Sequence, residues 1–417
     1  MGSKRGCMER EFSYAEYSTR PRILIIENEK NDVLMPGMNG SVYFMPDARH
    51  GLGFKETKIA KSEIFDLLGP TFFGLLEDLV PGSPICDTFL SEFEVFEKSS
   101  GAITINPKYG TWVYYPRDRH LVRFAPLFWH RLSLVVRNSI LIRDPEMKLT
   151  WPEIREQFEK SVIAVAGASI GNNAIHAVVQ DIRPDRIKIA DQKEYHMSNA
   201  NRVRISYRDF GRNKAVLTSE QIHSIDPFVL ISVFDSGLHS GNLGDFISGN
   251  QKLREPPASV VIEEIDDLDM KVAIREEARR QKIPVVMATD LASAIQLDIR
   301  RFDRDDRLPL AGCGISDDDL YSALDECRNA DIGKSRFDIF ASRLIGTHYR
   351  DIPEFRKIFL NEEPPLFAGW AQLGSTAMMG GGVASEAVAR IILGHKLPER
   401  MFINKFTGET IVEGERL

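Results

Sequence analysis

The feature that most constrains this chain is a repeated order of strand, glycine-bearing turn and helix, which begins near residue 150. Short apolar runs alternate with longer stretches of helical spacing. The runs predict strands at residues 162–166, 186–190, 229–234, 260–265 and 284–288. Because parallel strands joined by helical crossovers are covered on both faces, we predict an α/β fold with a Rossmann-like, mostly parallel sheet and helices on both faces. Its ligands should lie at the carboxyl ends of the strands.

The first 135 residues follow a different pattern. One stretch has helical spacing, at residues 61–79. Four others have strand-like spacing, at residues 22–26, 41–44, 102–105 and 111–115. This mixture predicts an α+β unit, and no cluster of side chains in it indicates chemistry. A chain of 417 residues is long enough for two or three domains. We therefore predict an N-terminal α+β domain of unknown role over residues 1–135 and a second domain over residues 136–417.

Composition and charge exclude several classes of protein. Acidic residues outnumber basic residues by 60 to 53, so no overall positive field attracts nucleic acid or anionic lipid. The uncharged stretch 364–385 contains glycine, proline and polar residues, which make it too polar for a membrane helix. We expect no nucleic-acid or membrane partner, and a start without an apolar leader favours the cytoplasm.

The first turn of the repeated pattern points to a bound nucleotide. The segment Ala166–Gly171 follows a strand and precedes a helix, so its N–H groups and the helix N-terminus can face an anionic phosphate. The residues predicted to cradle that phosphate are Gly167, Ala168, Ser169 and Gly171. Asp191 ends the second strand, where a carboxylate accepts hydrogen bonds from the ribose hydroxyls of a nucleotide. These features fit NAD and ATP equally.

The following segments distinguish the two ligands. Residues 191–202 are followed by Gly211–Ala215 and then by Val260–Asp266. In this order the sequence resembles the ThiF/MoeB/ubiquitin-activating-enzyme superfamily, with matches at Ser198, Asn199, Arg202, Lys214 and Asp266. Residues 380–394 are similar to the last core helix of that family, so the resemblance covers residues 137–396. It is nearest to a bacterial ThiF-like subgroup whose members are sometimes linked to a nitroreductase-like domain.

The resemblance implies an ATP-dependent adenylyltransferase, in which a carboxylate attacks the α-phosphate and gives an acyl-adenylate and pyrophosphate. Such a reaction needs cations around the phosphates, because negative charge accumulates there. Arg202 and Lys214 match the family positions that stabilise this charge. Arg137 is similar to an N-terminal arginine that in relatives reaches the γ-phosphate held by the other subunit, so a homodimer is expected.

Two further roles follow from the resemblance. Asn199 would hold the ribose or a phosphate through its amide, and Asp266 would hold Mg²⁺ on the phosphates. The acceptor would be a protein or peptide C-terminus or a small acid. Besides Ala166 and Ala168, which stand where glycines are expected in the turn, two positions depart from the family pattern. Lys193 stands where a second acidic residue is expected, and Lys271 stands where relatives often carry arginine.

Some members of the superfamily transfer the acyl group from AMP to a cysteine. Cys313 lies in the matching region, between two glycines that would expose its thiol. The same residue is equally consistent with a small buried side chain. The four cysteines are too widely spaced for a zinc knuckle.

Two other functions remain open at the level of sequence. An NAD(P)-dependent oxidoreductase would explain the turn and Asp191, but it leaves Arg202, Lys214 and Asp266 without a shared purpose. A catalytically degenerate, nucleotide-binding partner subunit would explain Lys193 and the alanines in the turn. Binding of NADH rather than ATP would support the first, and ATP binding without turnover would support the second.

Overall fold

The computed structural model describes strands within residues 22–124 and the segments 149–253, 255–312, 314–329 and 372–414. The chain divides into two compact units. The first consists of Met1–Arg137 with the short segments His223–Leu230 and Lys252–Arg254, and the second contains the remaining residues. The boundary predicted at residues 135 and 136 stays a prediction.

The first unit contains a six-stranded sheet. Its strands are β1 (Arg22–Asn28), β2 (Val33–Leu34), β3 (Gly40–Met45), β4 (Ile85–Asp87), β5 (Thr111–Tyr115) and β6 (His120–Phe124). The order is β2-β1-β5-β6-β4, and β3 also pairs with β1. All its pairings are antiparallel except the one between β4 and β6. The predicted strand at 102–105 and the predicted helix at 61–79 lie outside the described residues.

The second unit is built on an eight-stranded sheet. Its strands are β7 (Val162–Ala166), β8 (Arg186–Ala190), β9 (Leu230–Phe234), β10 (Val260–Glu263), β11 (Val285–Leu291), β12 (Ala294–Arg300), β13 (Arg400–Asn404) and β14 (Thr410–Glu413). The order is β14-β13-β12-β11-β10-β7-β8-β9. Strands β11, β10, β7 and β8 pair in parallel, and β12 to β14 add an antiparallel edge.

Helices surround this sheet. They are α1 (Trp151–Lys160), α2 (Ile170–Asp181), α3 (Lys214–Ile225), α4 (Leu243–Ile247), α5 (Leu268–Arg280), α6 (Asp317–Asn329) and α7 (Gly374–Ile392). The predicted Rossmann-like α/β fold is thereby confirmed. Among the described helices, none is both long and apolar enough to cross a membrane.

The central parallel strands are fully buried, and the antiparallel edge buries charged residues as well. Every residue of β7, β8 and β10 is buried, as expected for strands covered on both faces. The buried strand β12 instead alternates apolar residues with polar ones, including Asp298 and Arg300. These are satisfied by neighbours, since Arg400 Nε donates to Asp298 (2.6 Å) and Arg300 pairs with Glu399 (2.7 Å).

The strand order places a topological switch point at the centre of the sheet. The strands that follow β7 in sequence, β8 and β9, extend to one side of it, whereas β10 and β11 lie on the other side. Loops after β7 and β10 therefore diverge and leave a crevice at the carboxyl ends, which is where ligands bind in open α/β sheets.

Candidate functional site

A cavity of about 760 Å³ opens at this crevice. The loops after β7, β8, β9 and β10 supply its walls, together with residues 287–290 of β11 and parts of helices α5 and α6. All of its lining residues belong to the second unit. Its size is that of an ordinary small-molecule site.

The turn after β7 is shaped by two glycines. Gly167 has a φ of +91°, and a Cβ on it would lie 2.4 Å from the Glu264 carbonyl oxygen. A Cβ on Gly171 would lie 2.7 Å from Cγ1 of Val165, so this residue lets helix α2 begin close to β7. Neither position accepts a larger residue without movement. The turn therefore lies tightly against the end of β10, with its backbone N–H groups near the cavity.

Asp191 is held in place by the backbone around it. Its Oδ2 accepts a hydrogen bond from the N–H of Ala168 (2.8 Å), and its Oδ1 accepts one from the N–H of Lys193 (2.8 Å). Each carboxylate oxygen can accept a further hydrogen bond. Because Asp191 lines the cavity, its free lone pairs could bind a vicinal diol without any rearrangement.

Two cationic side chains reach the cavity from separate elements. Arg202 is half-buried and is oriented by Ser169 Oγ (3.4 Å from Nε) and by the Ser198 carbonyl (3.1 Å from Nη1). Lys214 opens helix α3 and is only 7% exposed, with its Nζ 5.6 Å from the centre of the Tyr195 ring. Burial lowers the pKa of Lys214, and the nearby Asp191 carboxylate opposes that effect. An anion in the cavity would relieve the cost of burying both cations.

The residue predicted to hold Mg²⁺ already has a cationic partner. Asp266 Oδ2 lies 3.0 Å from Nζ of Lys193 in an exposed ion pair at the cavity wall. In the part of the chain that is described, no group of three or more His, Cys, Asp or Glu side chains could hold a metal ion. Asp266, the carboxylate predicted to hold the ion, is already paired with an ammonium group, so it does not fit a divalent ion held by the protein alone.

The opposite wall, after β10 and β11, is acidic. Glu264 accepts a hydrogen bond from the N–H of Ala288 (2.7 Å), and burial raises the pKa of its carboxyl well above the usual range. Asp290 is 1% exposed, and burial raises its pKa to about 7 even though Arg202 and Lys405 attract its charged form. Both side chains line the cavity. Near neutral pH this wall can therefore carry protons as well as negative charge.

The structure brings most of the predicted residues together. The predicted residues that line the cavity are Gly167, Ser169, Asp191, Arg202, Lys214 and Asp266. Ala168 and Gly171 belong to the same turn without being among the lining residues. Asn199 is buried elsewhere, and its Oδ1 accepts the N–H of His196 (2.9 Å) to close a short 3₁₀ turn. Arg137 and Cys313 lie outside the described residues.

Several residues of the site were not predicted. Glu264, Asp290 and Gln372 line the cavity, and Tyr195 supports it by donating from its hydroxyl to the Ala168 carbonyl (2.6 Å). A sequence signal existed for Asp290, because it is a charged residue in an otherwise apolar strand segment. Cys327 also lines the cavity as a buried thiol on α6.

The second unit resembles known proteins. A model described as the ThiF family matches residues 145–414. The uncharacterized protein MT1398 of Mycobacterium tuberculosis (strain CDC 1551 / Oshkosh) is 27% identical over 299 residues, covering 69% of this chain and 36% of that protein. The chain thus spans about a third of the length of this curated relative.

Solved structures show low identity to this chain. PaaA is 16% identical, with 68% of this chain and 79% of that chain covered and a TM-score of 0.44. E. coli MccB with ATP is 13% identical, with coverage of 63% and 66% and a TM-score of 0.41. E. coli tRNA N6-threonylcarbamoyladenosine dehydratase, TcdA, in complex with AMP is 17% identical, with coverage of 63% and 95% and a TM-score of 0.41.

Proposed function

The chain belongs to the ThiF family, and from this membership and the site we propose that it is an ATP-dependent adenylyltransferase that activates a carboxylate. The acceptor would be a protein or peptide C-terminus or a small acid. Its carboxylate oxygen would form a bond to the α-phosphorus of ATP while the bond to the bridging oxygen breaks. The products are an acyl-adenylate and pyrophosphate.

One observation carries this proposal. Arg202 and Lys214 come from different elements and line the same cavity as the glycine turn and Asp191. A carboxylate that binds ribose and a turn that binds a phosphate occur in many dinucleotide sites. The additional pair of partly desolvated cations suits a triphosphate, whose negative charge increases during the reaction. We assign Asp191 to the ribose, the turn to a phosphate, and Arg202 and Lys214 to the charge that develops on the leaving pyrophosphate.

The walls of the cavity suggest how the acceptor would enter. Nucleotide bound to the turn and Asp191 would cover the ends of β7 and β8. The acceptor carboxylate would then approach from the β10 and β11 side, past Glu264 and Asp290. Protonation of these carboxyls near neutral pH would reduce the repulsion that an anionic acceptor meets there.

Several parts of the proposal rest on the sequence. The homodimer, the cytoplasmic location, the contributions of Asn199, Arg137 and Cys313, and the role of residues 1–135 stay predictions. The Mg²⁺ predicted on Asp266 is not part of this proposal, because that carboxylate is paired with Lys193.

The ion pair between Lys193 and Asp266 supports a second candidate, a nucleotide-binding partner subunit without turnover. This candidate binds ATP in the same cavity but transfers no adenylyl group. An ATP–pyrophosphate exchange assay separates the two functions. Exchange in the presence of an acceptor captured by co-purification would support the enzyme, whereas ATP binding without exchange, with every captured acceptor, would support the subunit.

Nucleotide choice is tested by thermal stabilisation of the full-length protein. At a concentration one hundred times its Kd, a ligand stabilises the native state by about 2.7 kcal/mol. We expect ATP to raise the Tm and NADH to leave it unchanged. Arg202→Ala should lose most of the ATP effect. The matched control Arg204→Ala removes an exposed arginine that is not among the cavity residues and should retain the effect. A shift with NADH and none with ATP would refute the proposal.

A further inference from the structure

Lys193 occupies a fixed position at the cavity wall. Its N–H donates to Asp191 Oδ1 (2.8 Å), and its carbonyl accepts the N–H of Lys214 (2.9 Å). The backbone of Lys193 is therefore connected to both the proposed ribose carboxylate and one of the proposed phosphate cations. From this position its side chain extends to Asp266, with Nζ 3.0 Å from Oδ2.

The contact between Lys193 and Asp266 has the geometry of a charge-assisted hydrogen bond. The Lys193 side chain is a charged ammonium group at neutral pH, as lysine ordinarily is. A divalent cation and this ammonium would compete for the same carboxylate oxygen. The two side chains are 58% and 88% exposed, and exposed ion pairs are weak. Because an ammonium group has three N–H donors, Lys193 can keep its contact with Asp266 and donate another hydrogen bond to a phosphate.

An unpaired Asp266 would repel a triphosphate entering the cavity. If position 193 carried the acidic residue that the family pattern expects, two carboxylates would face the phosphates. A divalent cation would then be needed to neutralise them. Lysine at position 193 removes the need for a divalent cation. It replaces one of the two negative charges, and it neutralises the other, on Asp266. The charge on the triphosphate then meets three ammonium or guanidinium groups, from Lys193, Arg202 and Lys214.

We propose that Lys193 is a nucleotide-binding residue whose ammonium group pairs with Asp266 in place of a divalent cation, so that this cavity binds ATP without Mg²⁺. The inference rests on the nucleotide site of the proposed function and adds how its phosphates are neutralised. It also explains why position 193 carries a lysine where the family pattern expects an acidic residue.

Titration calorimetry with α,β-methylene-ATP, whose α–β bridge the proposed reaction cannot break, tests this inference. The full-length protein is titrated in Mg²⁺ and in EDTA. We expect the wild-type Kd to differ by less than about threefold between the two conditions. Lys193→Asp restores a second carboxylate, so its Kd should rise by about tenfold or more in EDTA and recover in Mg²⁺. Lys193→Met, which removes only the charge, should weaken binding in EDTA by an intermediate factor.

Lys396→Asp is the matched control, because it makes the same charge reversal at an exposed lysine outside the cavity lining. It should behave as wild type in both buffers. A thermal melt of each variant without nucleotide establishes that it is folded. Wild-type binding that requires Mg²⁺, with the same requirement in Lys193→Met, would refute the role of Lys193 and leave the proposed function standing. Absence of binding in either buffer would refute both.

Discussion

Asp290 shows how one side chain at the site links stability to pH. Its carboxyl is buried at the end of β11, where Arg202 and Lys405 are the cations that attract its charged form. Burial raises its pKa to about 7, so the folded protein holds a proton on Asp290 that the unfolded chain has already released above pH 4. The stability associated with that proton is present at low pH and is lost as the pH rises towards and through 7.

Asp290→Asn removes this linkage while keeping the size and polarity of the side chain. We expect the variant to gain stability relative to wild type as the pH rises from 5 to 8, by up to about 2.6 kcal/mol over this range. Urea unfolding of both proteins at several pH values measures the difference. A difference that stays constant across this range would show that Asp290 titrates normally in the folded state.

At the scale of elements, the site depends on close packing between helices α2 and α7. A Cβ on Gly381 would lie 2.6 Å from the Asn173 carbonyl carbon and 2.8 Å from the Ala174 nitrogen, so the backbones of the two helices nearly touch. Asn173 in turn donates to the Arg202 carbonyl (2.8 Å). Helix α7 therefore supports the segment that carries one of the phosphate cations.

Adjacent glycines in α7 provide a matched test of this packing. Gly381→Ala should destabilise the protein by about 1 to 3 kcal/mol, because the added methyl group meets backbone atoms that cannot move aside. Gly382 is exposed and has open space around its Cα, so Gly382→Ala should stabilise the helix by about 0.5 to 1 kcal/mol. Equal effects on the urea midpoint would mean that the helices do not pack this closely.

A buried ion network fixes the helix on the acidic side of the cavity. Glu263 at the end of β10 pairs with Lys271 on α5 and also accepts from Arg275 Nη2 (3.1 Å). Arg275 continues to the Leu310 carbonyl (2.9 Å). Lys271, the second departure from the family pattern, thus forms an ion pair beneath the cavity, where it still contributes to the lining.

At the scale of the whole molecule, we propose that the domains predicted at residues 1–135 and 136–417 unfold as separate units. Calorimetry of the full chain should then show two transitions. Because the cavity residues all belong to the second unit, ATP should raise only one transition, by an amount that grows with nucleotide concentration. A single transition that moves as a whole would contradict this division.

The sequence alone determined the parallel half of the fold and the outline of the site. The strands 162–166 and 186–190 were predicted with the bounds that the structure gives them. The first is a continuous apolar run, as expected for a strand covered on both faces, whereas the second alternates isoleucine with Arg186 and Lys188. Gly167 and Asp191 were found because each follows a strand end, whereas Arg202 and Lys214 were found through the resemblance to the family pattern. The parallel topology then required these strand ends to lie at one edge of the sheet.

Only the tertiary structure decided which groups neutralise one another. Lys193 and Asp266 are 73 residues apart in the sequence. Their pairing, which occupies the carboxylate predicted to bind Mg²⁺, follows from the packing of two loops rather than from a local sequence pattern. The burial that raises the pKa of Asp290, and the turn that directs Asn199 away from the cavity, depend likewise on surrounding segments. Desolvation and charge pairing are set by distances through space, which a linear sequence does not contain.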